Sequence, residues 1–129
     1  MSKSDRGAIT AYRLRQDLEI APLTPVDLMN ITERLVIKVT HKELGKGIEG
    51  ACKSKGAKRL VVLNPHPSSI QKERFTLAHE IGHLLIHHSS YLCKSDVFYT
   101  YITQNDEEQE ANDFAAELLL PKRAVLDTL

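Results

Sequence analysis

A chain of 129 residues, 42% of them apolar, is long enough for one hydrophobic core and short for two. Lysine plus arginine and aspartate plus glutamate balance at 17 each, so no net field draws the protein to nucleic acid. No apolar run approaches the ~20 residues needed to cross a bilayer, and the polar start, Met1 to Gly7, is unlike a signal peptide.

Taken along the chain, residues 8–19 suit a first helix with Ala11, Leu14 and Leu18 on one side. Thr24-Pro25 reads as an N-cap followed by proline at the first helical position, opening a second helix whose apolar side is Leu28, Ile31 and Leu35. From Leu35 to Thr40 the apolar period falls to two, with Leu35, Ile37 and Val39 facing one way, as in a half-buried strand. Residues 48–53 and 59–64 flank Ser54-Lys55-Gly56-Ala57 and read as a hairpin with basic residues at its tip. Ser68, three residues before Gln71 and just after Pro65 and Pro67, has the signature of a capping box. It opens a helix over 70–88, along which Phe75, Ala78, Gly82 and Leu85 recur at helical spacing. A last long helix covers 106–117, with Glu108, Ala111, Ala115 and Leu118 on its inward face and Pro121 ending it. The expectation is one α+β domain over residues 1–129: two N-terminal helices, a small three-stranded sheet and two further helices.

Within the third helix, residues 79–83 read His-Glu-Ile-Gly-His. His79 and His83 are then one turn apart on one face, ~6 Å along the axis. Two neutral imidazoles at that spacing can converge on one divalent ion, most often zinc. Glu80 points beside the metal, where it can take a proton from a bound water. Six histidines in the chain make a chance match a real risk, which the helical context reduces. The bland alternative, a buried helix with two core histidines, sets Glu80 against an apolar core for no reason. Gly82 is ~1 kcal/mol less favourable in a helix than alanine, and its missing side chain would let another backbone or a substrate approach.

Catalytic zinc normally takes three protein ligands and keeps one position open. His87 continues the series 79, 83, 87 but lies ~12 Å along the axis from His79, beyond reach of the same ion. Ile86 and Ser89 stand where a metzincin needs glycine and histidine, which excludes that class. The downstream candidate is Glu108, with Glu107 and Glu110 as alternatives. Glu108 could instead be the N3 capping partner of Asn105. Asn112, one turn beyond Glu108, is placed to hydrogen-bond the free nitrogen of a ligand histidine. The other acids of 106–117 read as a solvated face, and Lys53, Lys55, Lys58 and Arg59 as a soluble turn that could attract an acidic partner. Cys52 and Cys93 lack metal-type spacing and suit free thiols in a reducing cytoplasm.

The segments Arg74 to Leu85 (RFTLAHEIGHLL) and Glu108 to Pro121 (EQEANDFAAELLLP) resemble the signatures of the ImmA/IrrE metallopeptidases, which are gluzincin-like. The likeness is close over both motifs and looser over residues from about 8 to 124. It implies a minimal gluzincin-like fold, with His79, His83 and Glu108 as metal ligands and Glu80 as general base or acid. Zinc is the expected ion, with manganese the alternative for a two-histidine, one-carboxylate set. Members of that family are typically cytosolic peptidases that cleave a helix-turn-helix repressor of a mobile element, a prophage or a DNA-damage response. The implied partner is therefore a protein, with no role for nucleic acid or membrane. The chain ends at Leu129, where many relatives continue, so a regulatory C-terminal extension is not expected.

The chemistry expected is peptide hydrolysis: the ion polarises the carbonyl and brings water towards a pKa of ~7, and Glu80 moves the proton to the leaving amine. Tyr91, Tyr99, Tyr101, His87 and His88 are open choices for a donor to the oxyanion. A hairpin strand at 48–64 could pair as an edge with an extended substrate, or could only cover the helices. Three other functions compete. One is a metal-bearing antirepressor or antitoxin-like module that binds without cutting, one a structural domain without metal, and one a general peptidase or amidase.

Overall fold

The computed structural model describes residues 3–21, 24–87, 91–94 and 106–120. Helix α1 (Lys3–Asp17) starts earlier than its apolar period requires, because its first turns have work of their own. Asp5 complements the helix dipole, and Gly7 is buried against the helix over residues 106–119. Helix α2 (Leu28–Arg34) is capped by Asp27, whose Oδ1 accepts from Asn30 N at 3.1 Å. The cap is therefore not Thr24, and Pro25 precedes the helix instead of occupying its first position. Aspartate outranks threonine as a cap, and starting after Asp27 buries Leu28 and Ile31.

Strand β1 (Ile37–His41) begins two residues later than the period-two pattern suggests. Leu35 closes α2, and Val36 takes a left-handed conformation with φ of 57°, which turns the chain into the sheet at a cost a β-branched residue seldom bears. Strands β2 (Ile48–Lys55) and β3 (Lys58–Leu63) form the hairpin, through a turn at Gly56-Ala57 tighter than the four residues expected. Gly56 supplies the φ of 60° that turn needs. Helix α3 (Ile70–Ile86) is capped by Ser69, which accepts from Lys72 N at 3.0 Å, one residue after the Ser68–Gln71 pair. A short strand, β4 (Tyr91–Lys94), and helix α4 (Asp106–Leu119) follow.

The three expected strands form a mixed sheet that β4 extends, in the order β1-β3-β2-β4. Strands β1 and β3 run parallel (Val39↔Val61), while β2 is antiparallel to β3 (Cys52↔Val61) and to β4 (Ala51↔Leu92). The hairpin strands thus lie inside the sheet, and among the described residues the edges belong to β1 and β4, which corrects the expectation of an edge at 48–64. Helix α3 covers the face bearing Cys52, Val61 and Leu63, and α4 packs against both α1 and α3. One core cluster joins Ala11 and Leu14 of α1, Ile31 of α2, Ile81 and Leu84 of α3, and Phe114 and Leu118 of α4. Buried Arg15 ties the N-terminal region to the end of α4, donating to Leu118 O at 2.8 Å and Ala21 O at 2.7 Å. Among the described residues no helix is long and apolar enough to cross a membrane.

Candidate metal centre

The middle of α3 is where helical geometry and burial coincide. His79, Glu80 and His83 are all fully buried, and one potential ligand atom from each lies within 4.8 Å of the others. The two imidazoles meet edge to face, with ring centroids 4.7 Å apart. Glu108, in the first turn of α4, brings Oε1 to 3.6 Å from His79 Nε2 and into closer contact with His83 Nε2. It holds the third position of its helix, where a capping partner would sit, yet its carboxylate is turned to the imidazoles. Asn105 lies outside the described residues. Glu107 is exposed, and Glu110 turns to His87 and Arg6.

The rear nitrogens of both rings are engaged. His79 Nδ1 is 2.7 Å from Asn112 Oδ1, and an amide oxygen only accepts, so His79 carries its proton there. Its Nε2 lone pair is then directed at Glu108. His83 Nδ1 meets His87 Nδ1 at 2.9 Å. Desolvation lowers the pKa of His83 below its ordinary 6.5, outweighing the attraction of the Glu108 charge, so the ring is held neutral. Burial alone would raise Glu108. The two imidazoles facing it overcome that penalty and hold its carboxyl at about 2. A neutral His83 beside an ionised carboxylate is the protonation state a divalent cation requires, and two imidazole nitrogens with a carboxylate oxygen are a donor set that zinc accepts. The residues fit such an ion.

Two carboxylates could complete the histidine pair, and their surroundings distinguish them. Glu80 faces β2: its Oε2 is 3.0 Å from the point a Cβ on Gly50 would occupy. The buried Cys52 thiol donates to it, and desolvation, followed by the Glu80 charge, pushes that thiol far above its usual range, so it stays protonated. Glu108 is the carboxylate that touches both Nε2 atoms.

Gly50 and Cys52 are the neighbours that sequence reasoning missed. The available signal was a lone glycine inside a strand pattern, which often marks close approach of another group. A register shift between Ile48 and Gly50 adds a bulge beside the site. Gly82 has a different function from the one expected. A Cβ there would stand 2.8 Å from Phe114 Cδ1, so the glycine admits a core side chain of α4, not a substrate or a backbone. His87 is buried between His83 and Glu110, while the side chains of His88, Tyr91, Tyr99 and Tyr101 lie outside the described residues. Lys53, Lys55 and Lys58, with Lys38, Val36 and Leu60, line a cavity of about 640 Å³ that contains no member of the histidine–carboxylate cluster.

No curated protein matches the chain. The family model described as the IrrE N-terminal-like domain, peptidase family M78, matches residues 32–129, a segment holding the four strands described, α3, α4 and the whole cluster just described. Since that match covers about three-quarters of its length, the chain belongs to the IrrE N-terminal-like peptidase family.

Proposed function

We propose that the protein is a zinc-dependent endopeptidase of the cytoplasm whose substrate is a helix-turn-helix transcriptional repressor. The observation that carries the hydrolytic reading is the convergence of His79 Nε2, His83 Nε2 and Glu108 Oε1 beside a fully buried Glu80. The choice of a repressor is supported by the likeness of the two motifs to the ImmA/IrrE signatures.

His79, His83 and Glu108 would hold the ion, and manganese would fit the same set. A divalent cation bound there supplies Lewis acidity, polarising a carbonyl and making water easier to deprotonate. Glu80 accepts the proton from the attacking water and delivers it to the leaving amine nitrogen as the peptide C–N bond breaks. The thiol of Cys52 and the close wall at Gly50 restrict where the Glu80 carboxylate can swing, which favours one transfer geometry. Asn112 orients His79 from behind. Strand β4 pairs with β2, the strand carrying Gly50 and Cys52, and so is the sheet edge nearer to Glu80. An extended substrate segment would add to the sheet there.

The test is Glu80→Gln, purified with zinc and mixed with a candidate repressor, with products read by mass spectrometry. The variant should keep its zinc and its unfolding midpoint while cleavage falls by about 10²- to 10⁴-fold. Normal cleavage by Glu80→Gln would remove Glu80 from the mechanism. A stable complex between wild-type protein and an uncut repressor would instead establish the non-cleaving antirepressor.

A further inference from the structure

His87 stands one turn beyond His83 on α3, too distant from His79 to share an ion with it, yet its side chain is only 3% exposed. Each of its ring nitrogens has a defined neighbour. Nδ1 lies 2.9 Å from His83 Nδ1, and Nε2 lies 3.1 Å from Glu110 Oε1. The second oxygen of Glu110 is 3.1 Å from Arg6 Nε, and Arg6 Nη2 donates to Ile86 O at 3.0 Å, in the last turn of α3. A continuous path therefore runs from His83 through His87 and Glu110 to Arg6, joining α3, α4 and α1.

The direction of the protons along this path follows from what each group can do. The Glu110 carboxylate only accepts, so the nitrogen facing it, His87 Nε2, carries hydrogen. A neutral His87 then has its lone pair on Nδ1. Between two Nδ1 atoms at 2.9 Å there is room for one proton, which must belong to His83. His83 is thereby left with its lone pair on Nε2, the atom facing Glu108 and the proposed ion. The guanidinium of Arg6 holds Glu110 from the far side, so the carboxylate keeps its orientation.

We propose that Glu110, acting through His87 and anchored by Arg6, is a positioning group that sets the tautomer and ring orientation of His83 for metal binding. This rests on the metal-centre reading above. The two ligand histidines are then supported differently: His79 directly by the amide of Asn112, His83 by a carboxylate relayed through a second imidazole. A carboxylate behind a ligand histidine also increases the basicity of its coordinating nitrogen. Arg6 precedes the segment matched by the family model, so α1 reaches the centre from outside that segment.

Two measurements test the proposal. Long-range ¹⁵N–¹H correlation spectra of the zinc-free protein report imidazole tautomers directly, and His83 should show Nδ1–H while His87 shows Nε2–H. A His83 carrying its proton on Nε2 would overturn the proposal without any metal in the experiment. The second is zinc affinity by competition with a chromophoric chelator, comparing His87→Leu with His87→Gln. Leucine fills a similar volume with no polar atom, whereas the glutamine amide can accept from His83 and donate to Glu110. The leucine variant should bind zinc about 10- to 100-fold more weakly, and the glutamine variant should restore wild-type affinity. Equal affinities in wild type and both variants would defeat the relay. If His87→Leu does not fold, the wild-type tautomers decide alone. Wild-type protein that binds no zinc but shows His83 as Nδ1–H would overturn the metal-centre reading and leave the proton order standing.

Discussion

Asn112 accepts from His79 Nδ1 at 2.7 Å in a region where the amide is 2% exposed and the imidazole fully buried. Replacing it with alanine would strand a buried ring N–H, and the desolvation cost of such a group is about 1–3 kcal/mol. Asn112→Ala should therefore lower the stability of the zinc-free protein by about that amount, measured as urea unfolding at constant slope. An unchanged midpoint would mean that the bond contributes nothing. The position of Asn112 beside Glu108 was legible from helix spacing, one turn on as His83 is from His79, while its contact with His79 needs α4 to lie against α3. The neighbours of Glu80 were not legible in the same way. Gly50 and Cys52 meet it only because β2 passes beneath α3, and no spacing within either element encodes that contact.

Helix α4 delivers Glu108, Glu110 and Asn112 together, so its seating on α1 and α3 decides whether the centre assembles. Each supporting helix contributes a glycine at the contact. A Cβ on Gly7 would collide with the Glu110 carbonyl, and one on Gly82 would lie 2.8, 3.1 and 3.2 Å from three carbons of the fully buried Phe114. Gly82→Ala sets two effects against each other. Helix propensity favours alanine by about 1 kcal/mol, while overpacking a filled core typically costs about 1–3 kcal/mol. Phe114 is fully buried within the core cluster, so the packing cost should prevail. The variant should be destabilised in thermal unfolding, and a raised Tm would show that α4 slides to accommodate the methyl. The helices themselves were readable from apolar period, and both caps were misplaced for one reason. Ser69 beside Ser68, and Asp27 three residues after Thr24, are also capping residues, and tertiary burial of Leu28 and of residues 76–84 selects the start.

At the scale of the molecule, sheet order was the least legible feature. The chain places β1, β2 and β3 in succession, but β3 pairs between the other two, and the four-residue β4 supplies a fourth partner too short to stand out as a pattern. Pairing of that kind is decided by long-range contact, not by local period. Overall charge is similarly uninformative about the interior. Basic and acidic side chains are equal in number, yet Glu80, Glu108 and Glu110 are buried around the histidines. Acid should therefore destabilise the fold through these buried groups. His83 is shifted below 6.5, so the unfolded chain takes up a proton at that site first, and stability falls as pH drops through 6.5. Glu108 is shifted from 4.5 to about 2, so its contribution is present above 4.5 and is lost as pH falls from there towards 2. Both shifts have the same sign, and each group can contribute a slope of up to about 1.4 kcal/mol per pH unit within its window. The urea midpoint of the zinc-free protein should therefore decline continuously from pH 7 to pH 3. Glu108→Gln should flatten the lower part of that decline. Added zinc should raise the midpoint most at neutral pH and least in acid, because protons compete for the same nitrogen and oxygen lone pairs. A midpoint that is flat or rising between pH 7 and pH 4 would show that these buried groups titrate as they do in the unfolded chain, and the electrostatic account of the centre would fail.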